Sequence, residues 1–138
     1  MLSINSDKEL RELFNRKAPL FQSDVSRHSE NLIEIVSKSS FLVLGGAGSI
    51  GQAVVKELFG REPKKLDVID ISENNLAELV RDVRSTAGYI KGDFRTIAID
   101  INSVEFDAFI ARNGHYDYVL NLSALKHVRS ERDPFTLM

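Results

Sequence analysis

No cysteine occurs among the 138 residues. Disulfides and thiolate metal sites are therefore excluded, and the chain suits a reducing cytoplasm, which is its expected location. No charge sign dominates. Lys and Arg number 18 against 20 Asp and Glu, a net charge of −2. That is too little positive field for nucleic acid, and no nucleic-acid partner is expected. A long apolar run is also missing. The longest uncharged stretch, Ser39 to Val55, is broken by four glycines, so no membrane contact is expected. The opening residues MLSINSDKELRELF lack a basic segment followed by an apolar one, so they do not read as a signal peptide. There is no internal repeat and no low-complexity tract. What remains is ordinary: 43% apolar and 28% charged residues, enough for one domain with a real core.

The chain falls into two parts. Residues 1–40 read as an N-terminal helical extension. Ser6-Asp7-Lys8-Glu9 is a capping-box pattern followed by Leu10, Leu13 and Phe14 at helical spacing. RKAPLFQSD, with Pro19 as breaker, reads as a linker. Ser29 then stands as a cap for a second helix carrying Leu32, Ile33, Ile35 and Val36. Residues 41–138 read as strands alternating with helices. FLVLG is a continuous apolar run, as a strand covered on both faces requires. IGQAVVKELFG places Ile50, Val54, Val55 and Leu58 on one inward helical face and ends at Gly60. KLDVIDI is the second strand, and Ser72 caps a helix burying Leu76, Leu79, Val80 and Val83. TIAIDI is the third strand, Ser103 caps a helix with Phe106, Phe109 and Ile110, and YDYVLNLSA is the fourth strand, with Val119 and Leu122 as core. Asp133-Pro134 reads as a helix start.

The fold class is thus α/β: a partial Rossmann-type doubly wound parallel sheet of about four strands, ordered 3-2-1-4 and preceded by N-terminal helices. Such a fold needs further strands beyond the fourth, which would otherwise be an exposed edge. The chain therefore reads as the N-terminal part of something longer, ending before a catalytic segment.

Gly45, Gly48 and Gly51 are spaced G-x-x-G-x-x-G, with Gly46 as an extra. Such glycines permit a tight turn, a close approach of backbone to a pyrophosphate, and close packing of helix on strand. The helix opening at Ser49 and Ile50 would aim its free amides at the phosphates. Asp70 lies 19 residues after Gly51, at the end of the next strand. Its carboxylate is placed to accept from the adenosine ribose hydroxyls, and it would repel the 2′-phosphate of NADP. ISENN, which follows, holds no cation for that phosphate, so NAD is favoured over NADP. Two plainer readings stand beside these: a phosphate-free glycine turn, and Asp70 as a helix-capping acid.

Asp100 and Ile101 end the third strand, where an adenine would lie. Asp100 either accepts from the adenine amino group or only starts a turn. Ser123 and Ala124 end the fourth strand and leave room for the middle of the cofactor. Lys126 stands nearest that strand end among Lys126, His127, Arg129 and Arg132, and is the candidate for a nucleotide diphosphate. Arg129 and Arg132 read rather as a solvated helix face, and His127 as a residue supporting the site from behind or simply packed. His28 and His115 have no second histidine at ligand spacing, and no metal site is expected.

FLVLGGAGSIGQAVVKELF, VIDISENNLAELVRDVRS and YVLNLSALKHVRSERDPFTLM resemble the extended short-chain dehydrogenase/reductase superfamily. Within it, SALKHVRSERDP and the earlier LFNRKAPLF resemble polysaccharide-biosynthesis nucleotide-sugar dehydratases of the UDP-N-acetylglucosamine 4,6-dehydratase type. The resemblance runs from about Leu13 onward. It implies a UDP-sugar substrate, hydride transfer from the sugar C4 to a nicotinamide, loss of water across C5 and C6, and return of the hydride to C6. It implies Gly45, Gly48, Gly51 and Asp70 as cofactor residues, Asp100 and Ile101 at the adenine, and Lys126 in an A-x-K-H-V segment. Homo-oligomers occur in that superfamily, and the N-terminal helices are candidates for such a contact.

The catalytic tyrosine–lysine pair of that superfamily is missing. Tyr89, Tyr116 and Tyr118 are followed four residues on by Asp93, Leu120 and Leu122, not by the lysine that lowers the tyrosine pKa. The chain alone is expected to bind cofactor without turnover, while the parent protein would be the enzyme. Another nucleotide-sugar epimerase or reductase, or a non-catalytic dinucleotide-binding module, are the alternatives.

Overall fold

The computed structural model describes residues 20–124. The first expected helix, the Asp133-Pro134 helix start and Lys126 lie outside the described residues. The chain divides into two units, residues 1–32 and 33–138. The boundary falls inside helix α1, Gln22–Lys38. This helix begins well before Ser29 and takes in part of the expected linker. Asp24 in its first turn and Lys38 in its last complement the helix dipole. Of Ile33, Ile35 and Val36, only Val36 is buried.

Four parallel strands follow, separated by helices: β1 Ser40–Leu44, α2 Ser49–Phe59, β2 Lys65–Asp70, α3 Glu73–Ala87, β3 Asp93–Ala98, α4 Val104–Asn113 and β4 Tyr118–Asn121. The sheet order is β3-β2-β1-β4, as the strand-and-helix alternation predicts. Val43 sits opposite Val68 on one side and Leu120 on the other. Alternation of side chains splits the core in two. Phe41, Val43, Leu66 and Val68 pack with Val55, Leu58 and Phe59 of α2 and Leu76, Leu79 and Val83 of α3. Leu42, Leu44 and Ile69 pack on the opposite face with Phe106, Phe109 and Ile110 of α4. The expected caps are in place: Ser72 accepts the Asn75 amide and Ser103 accepts the Phe106 amide, each at 3.3 Å.

Three expectations need correction. Strand β3 starts earlier and ends at Ala98, because the chain turns once the Ile99 amide has bonded to the Asp70 carbonyl. Asp100 and Ile101 therefore lie in the turn after the strand. Strand β4 is shorter than expected at both ends, spanning Tyr118–Asn121, and the residues ahead of it bind through their side chains. Asp117 accepts the Ser40 amide and hydroxyl, both at 2.7 Å, and these bonds hold its carboxyl below the usual range. Val119 is not core but 57% exposed, since α4 does not reach over it, whereas Leu122 is half-buried against the α2 side.

Inside the apolar second strand sits a fully buried carboxylate, Asp67. Arg95, its register partner on β3, grips it with two bonds, Nε to Oδ1 at 2.8 Å and Nη2 to Oδ2 at 2.6 Å. The Tyr116 hydroxyl donates to the same Oδ2, and Lys65 Nζ stands 3.4 Å away. Asn113, ending α4, accepts from Arg95 at 2.8 Å. Burial pushes the Asp67 carboxyl up, but the bonds from Arg95 and Tyr116 and the nearby positive charges outweigh it, leaving it below its ordinary value. Burial and the bond to Asp67 push the Tyr116 phenol up.

A carboxyl depressed on folding adds stability that is present above the unfolded value and lost as pH falls through the folded one. Asp67→Asn is expected to lower unfolding stability at pH 7 by about 2–3 kcal/mol, below the ~3–5 of a fully buried broken pair, because Arg95 is 40% exposed. The gap from wild type, read by urea denaturation, should narrow as pH falls below the ordinary carboxyl value of 3.8. A gap independent of pH would show that the charge is not its source.

Candidate functional site

The loop leaving β1 turns at Gly45, whose φ is +71°. A side chain there is strained by the backbone alone. It is also excluded by contact, because a Cβ would stand 2.6 Å from both N and Cα of Ser123. Gly51, in the first turn of α2, packs as tightly: a Cβ would overlap the Gly45 carbonyl oxygen and come within 2.7 Å of Gly46 Cα. Gly46, which reads from sequence as an extra, lies against the Val68 side chain. Gly48 differs from all three. Its backbone is extended, with φ −71° and ψ 169°, and a Cβ would meet only the Gly45 oxygen, at 3.5 Å. Among the described residues, no atom demands glycine at position 48.

Gly48 is also the N-cap of α2 and supplies no capping side chain. The amides of Ser49, Ile50 and Gly51 are thus first-turn donors with no intrahelical acceptor. They open onto a cleft of about 720 Å³ at the carboxyl end of the sheet. That location is where open α/β sheets take ligands, and the volume is that of a small-molecule site. The cleft brings together ten of the residues singled out from sequence: Gly45, Gly48, Ser49, Ile50, Gly51, Asp70, Asp100, Ile101, Ser123 and Ala124. Ile50 is 72% exposed, so it faces the cleft and not the helix's buried side, correcting the inward placement. Lys126 lies outside the described residues.

Asp70 does local work first. Its Oδ2 accepts the Ala47 amide of the glycine loop, and its Oδ1 accepts the Ser72 amide, both at 3.0 Å. Asp100 starts a turn, its Oδ1 accepting the Asn102 amide at 2.9 Å, and it lines the cleft as well. Ser123 donates its hydroxyl to Asn121 Oδ1 at 2.6 Å. Among the described lining residues, the charged side chains are Asp70 and Asp100. The cleft is therefore acidic beside the ends of β2 and β3 and rich in open amides at α2.

Four lining residues escaped the sequence reading: Ile71, Asn75, Ile99 and Asn102. Each follows a strand end within a few residues of Asp70 or Asp100, and that adjacency was the available signal. None of the three tyrosines lines the cleft. Tyr116 is tied to Asp67, and Tyr118 stacks on Phe41 with ring centroids 5.0 Å apart. Tyr89 is 82% exposed beside Arg84.

The glycine geometry predicts a graded response. Gly45→Ala and Gly51→Ala should each lower unfolding stability by about 2 kcal/mol or more, through strain and overlap with backbone. Gly48→Ala should stay within about 1 kcal/mol of wild type, since its conformation suits any residue. Denaturant midpoints of the three variants check this order.

Comparison with known proteins follows the same outline. The family described as "Polysaccharide biosynthesis protein" matches residues 41–136. A protein of Methanocaldococcus jannaschii described as an uncharacterized membrane protein is 32% identical over 107 residues, covering 77% of this chain and 30% of that one. Among the described residues no helix is long and apolar enough to cross a membrane. The structure of Pen from Bacillus thuringiensis superposes with a TM-score of 0.59 at 27% identity, covering 74% of this chain and 30% of Pen. WbmF from Bordetella bronchiseptica, solved in complex with NADH, superposes at 0.53 with 21% identity, over 75% of this chain and 28% of WbmF. The chain thus spans less than a third of the length of these relatives. With the family matched across the whole sheet and cleft, the chain belongs to the polysaccharide biosynthesis protein family.

Proposed function

We propose that the cleft binds the ADP half of NAD, and that the chain is the N-terminal, cofactor-binding portion of a nucleotide-sugar dehydratase. The observation that carries the binding reading is Gly48. It is a glycine that packing among the described residues does not require, set at an uncapped helix start facing the cleft. Close approach of a pyrophosphate accounts for it. The α2 amides of Ser49, Ile50 and Gly51 would hold the phosphates. Asp70 would take the ribose hydroxyls, and Asp100 with Ile101 the adenine. Ser123 and Ala124 would flank the middle of the cofactor, with Lys126 near the diphosphate. WbmF, which has the same fold, holds NADH. No cation lines the cleft among the described residues, and Ile71 after Asp70 is 74% exposed, which favours NAD over NADP.

The dehydratase reading rests on family membership and on the SALKHVRSERDP segment. When bound, NAD would accept and return a hydride at the sugar. This chain's own part is to bind and orient it. Tyr116 is unsuited as a base, since burial and the buried Asp67 hold its phenol protonated. Turnover of a UDP-sugar would therefore need residues beyond this chain, in a cytoplasmic, self-associating parent, and a 4-keto-6-deoxy sugar is the product expected from that parent. An inverted hydroxyl would make it an epimerase instead.

Calorimetric titration of the 138-residue chain tests the binding reading. NAD should bind more tightly than NADP. Gly48→Ala should cost at least about tenfold in NAD affinity, roughly 1.4 kcal/mol, with its thermal midpoint lowered by no more than several degrees. If the wild-type chain binds neither nucleotide, or if Gly48→Ala binds NAD as well as wild type, the reading falls.

A further inference from the structure

Ala47, at the apex of the glycine loop, is 1% exposed. Its amide and carbonyl are buried, and buried backbone groups need partners. Among the described residues, neither finds one in backbone. The amide donates to Asp70 Oδ2 at 3.0 Å, and the carbonyl accepts from Gln52 Nε2 at 2.9 Å. Asp70 ends β2, while Gln52 lies in the first turn and a half of α2. The two ends of one peptide-bonded residue are thus gripped by side chains from two different elements. The remaining loop bonds lie to either side of the apex: Gly45 and Gly46 amides to the Ile69 carbonyl at 2.8 and 3.2 Å, and the Gly48 amide to the Gly45 carbonyl at 3.3 Å.

We infer that Asp70 and Gln52 are positioning residues that clamp Ala47 and so fix the direction in which the first-turn amides of α2 point at a diphosphate. This rests on the proposed dinucleotide site and deepens it. Gln52 does not line the cleft, so it acts on a ligand only through the loop. Asp70 acts twice. An ionised carboxylate offers about four acceptor sites. The Ala47 and Ser72 amides use two, and the others remain for a ribose diol. Recognition of the ribose and presentation of the amides are therefore coupled through one side chain. Removing that carboxylate does more than relax the choice between NAD and NADP: it also loosens the diphosphate cradle.

The test separates the two tasks by ligand. ADP carries the diphosphate and adenosine does not. Affinities of the 138-residue chain for both are read by ligand-observed NMR, with thermal unfolding measured alongside. Gln52→Met keeps the length of the side chain and removes the donor. It is expected to weaken ADP several-fold and to leave adenosine unchanged. Asp70→Ala is expected to weaken adenosine about tenfold, the scale of losing hydrogen bonds to a charged group, and ADP by several-fold more than that. Asp70→Asn, which still presents one oxygen to Ala47, should recover part of the excess loss on ADP, and it replaces the alanine variant if that does not fold. Equal losses for ADP and adenosine in the Asp70 variants, or unchanged ADP affinity in Gln52→Met, would overturn the clamp. A wild-type chain that binds neither ligand would instead overturn the dinucleotide reading on which the clamp rests.

Discussion

At the carboxyl end of the sheet three stretches of backbone meet with no room for a side chain between them. The exit of β1 at Gly45 lies against the exit of β4 at Ser123, and the first turn of α2 at Gly51 lies against the Gly45 carbonyl. Only hydrogen fits at the two glycines. This crowding sets the start of α2 over the ends of β1 and β4. The residue at the cap of that helix is Gly48, which has no side chain to offer its first-turn amides. The packing fixes where these open amides stand, the glycine at the cap leaves them open, and the cleft in front of them has a fixed patch of positive potential.

The polar groups of the sheet divide accordingly. At Asp67 every partner is present: a bidentate arginine, a phenol, an ammonium group and, behind the arginine, an amide from the end of α4. Such a closed network holds β2, β3 and the approach to β4 in register, and it leaves nothing for a ligand to do. At the other end, donors at α2 and acceptor capacity at Asp70 remain unspent. One strand, β2, carries an aspartate of each kind three residues apart. Their difference lies in company and not in chemistry: Asp67 faces the α4 side of the core, while Asp70 stands at the strand end beside the glycine loop.

That difference also marks what the sequence could reveal. Strand order, the Ser72 and Ser103 caps and the glycine turn are written in spacings of a few residues, so periodicity and capping rules reach them. The Asp67 network is not. Its partners Arg95 and Tyr116 lie 28 and 49 residues away, and within KLDVID a buried acid looks like a break in an apolar run. The ends of β3 and β4 were misjudged for the same reason. The last bond along β3 runs from the Ile99 amide to the Asp70 carbonyl, and Tyr116, ahead of β4, is bonded to Asp67. Ile50 fitted an inward helical face by spacing, but the tight turn rotates the first residue of that pattern into the cleft. That the site residues line one cleft was legible because they sit at strand ends or at the start of α2, in a fold where those converge. The clamp on Ala47 was not, since neither Asp70 nor Gln52 shows by its position which backbone atom it will hold.

The distribution of charge around the cleft selects among ligands. Amides at α2 favour an anion, whereas the carboxylates of Asp70 and Asp100, near the ends of β2 and β3, favour hydroxyl and amino donors. A ligand matching both must carry its negative charge at one point and its neutral donors at another, several ångströms apart. A simple phosphate satisfies only the first requirement, and a neutral sugar only the second. A nucleoside diphosphate satisfies both in one orientation, with adenosine toward β2 and β3. On the proposed reading, its far end is then directed past Ser123 and Ala124, along the edge where Val119 and Tyr118 stand exposed. Chemistry at that far end would have to be supplied from the β4 side of the sheet, the side on which the described residues offer no base.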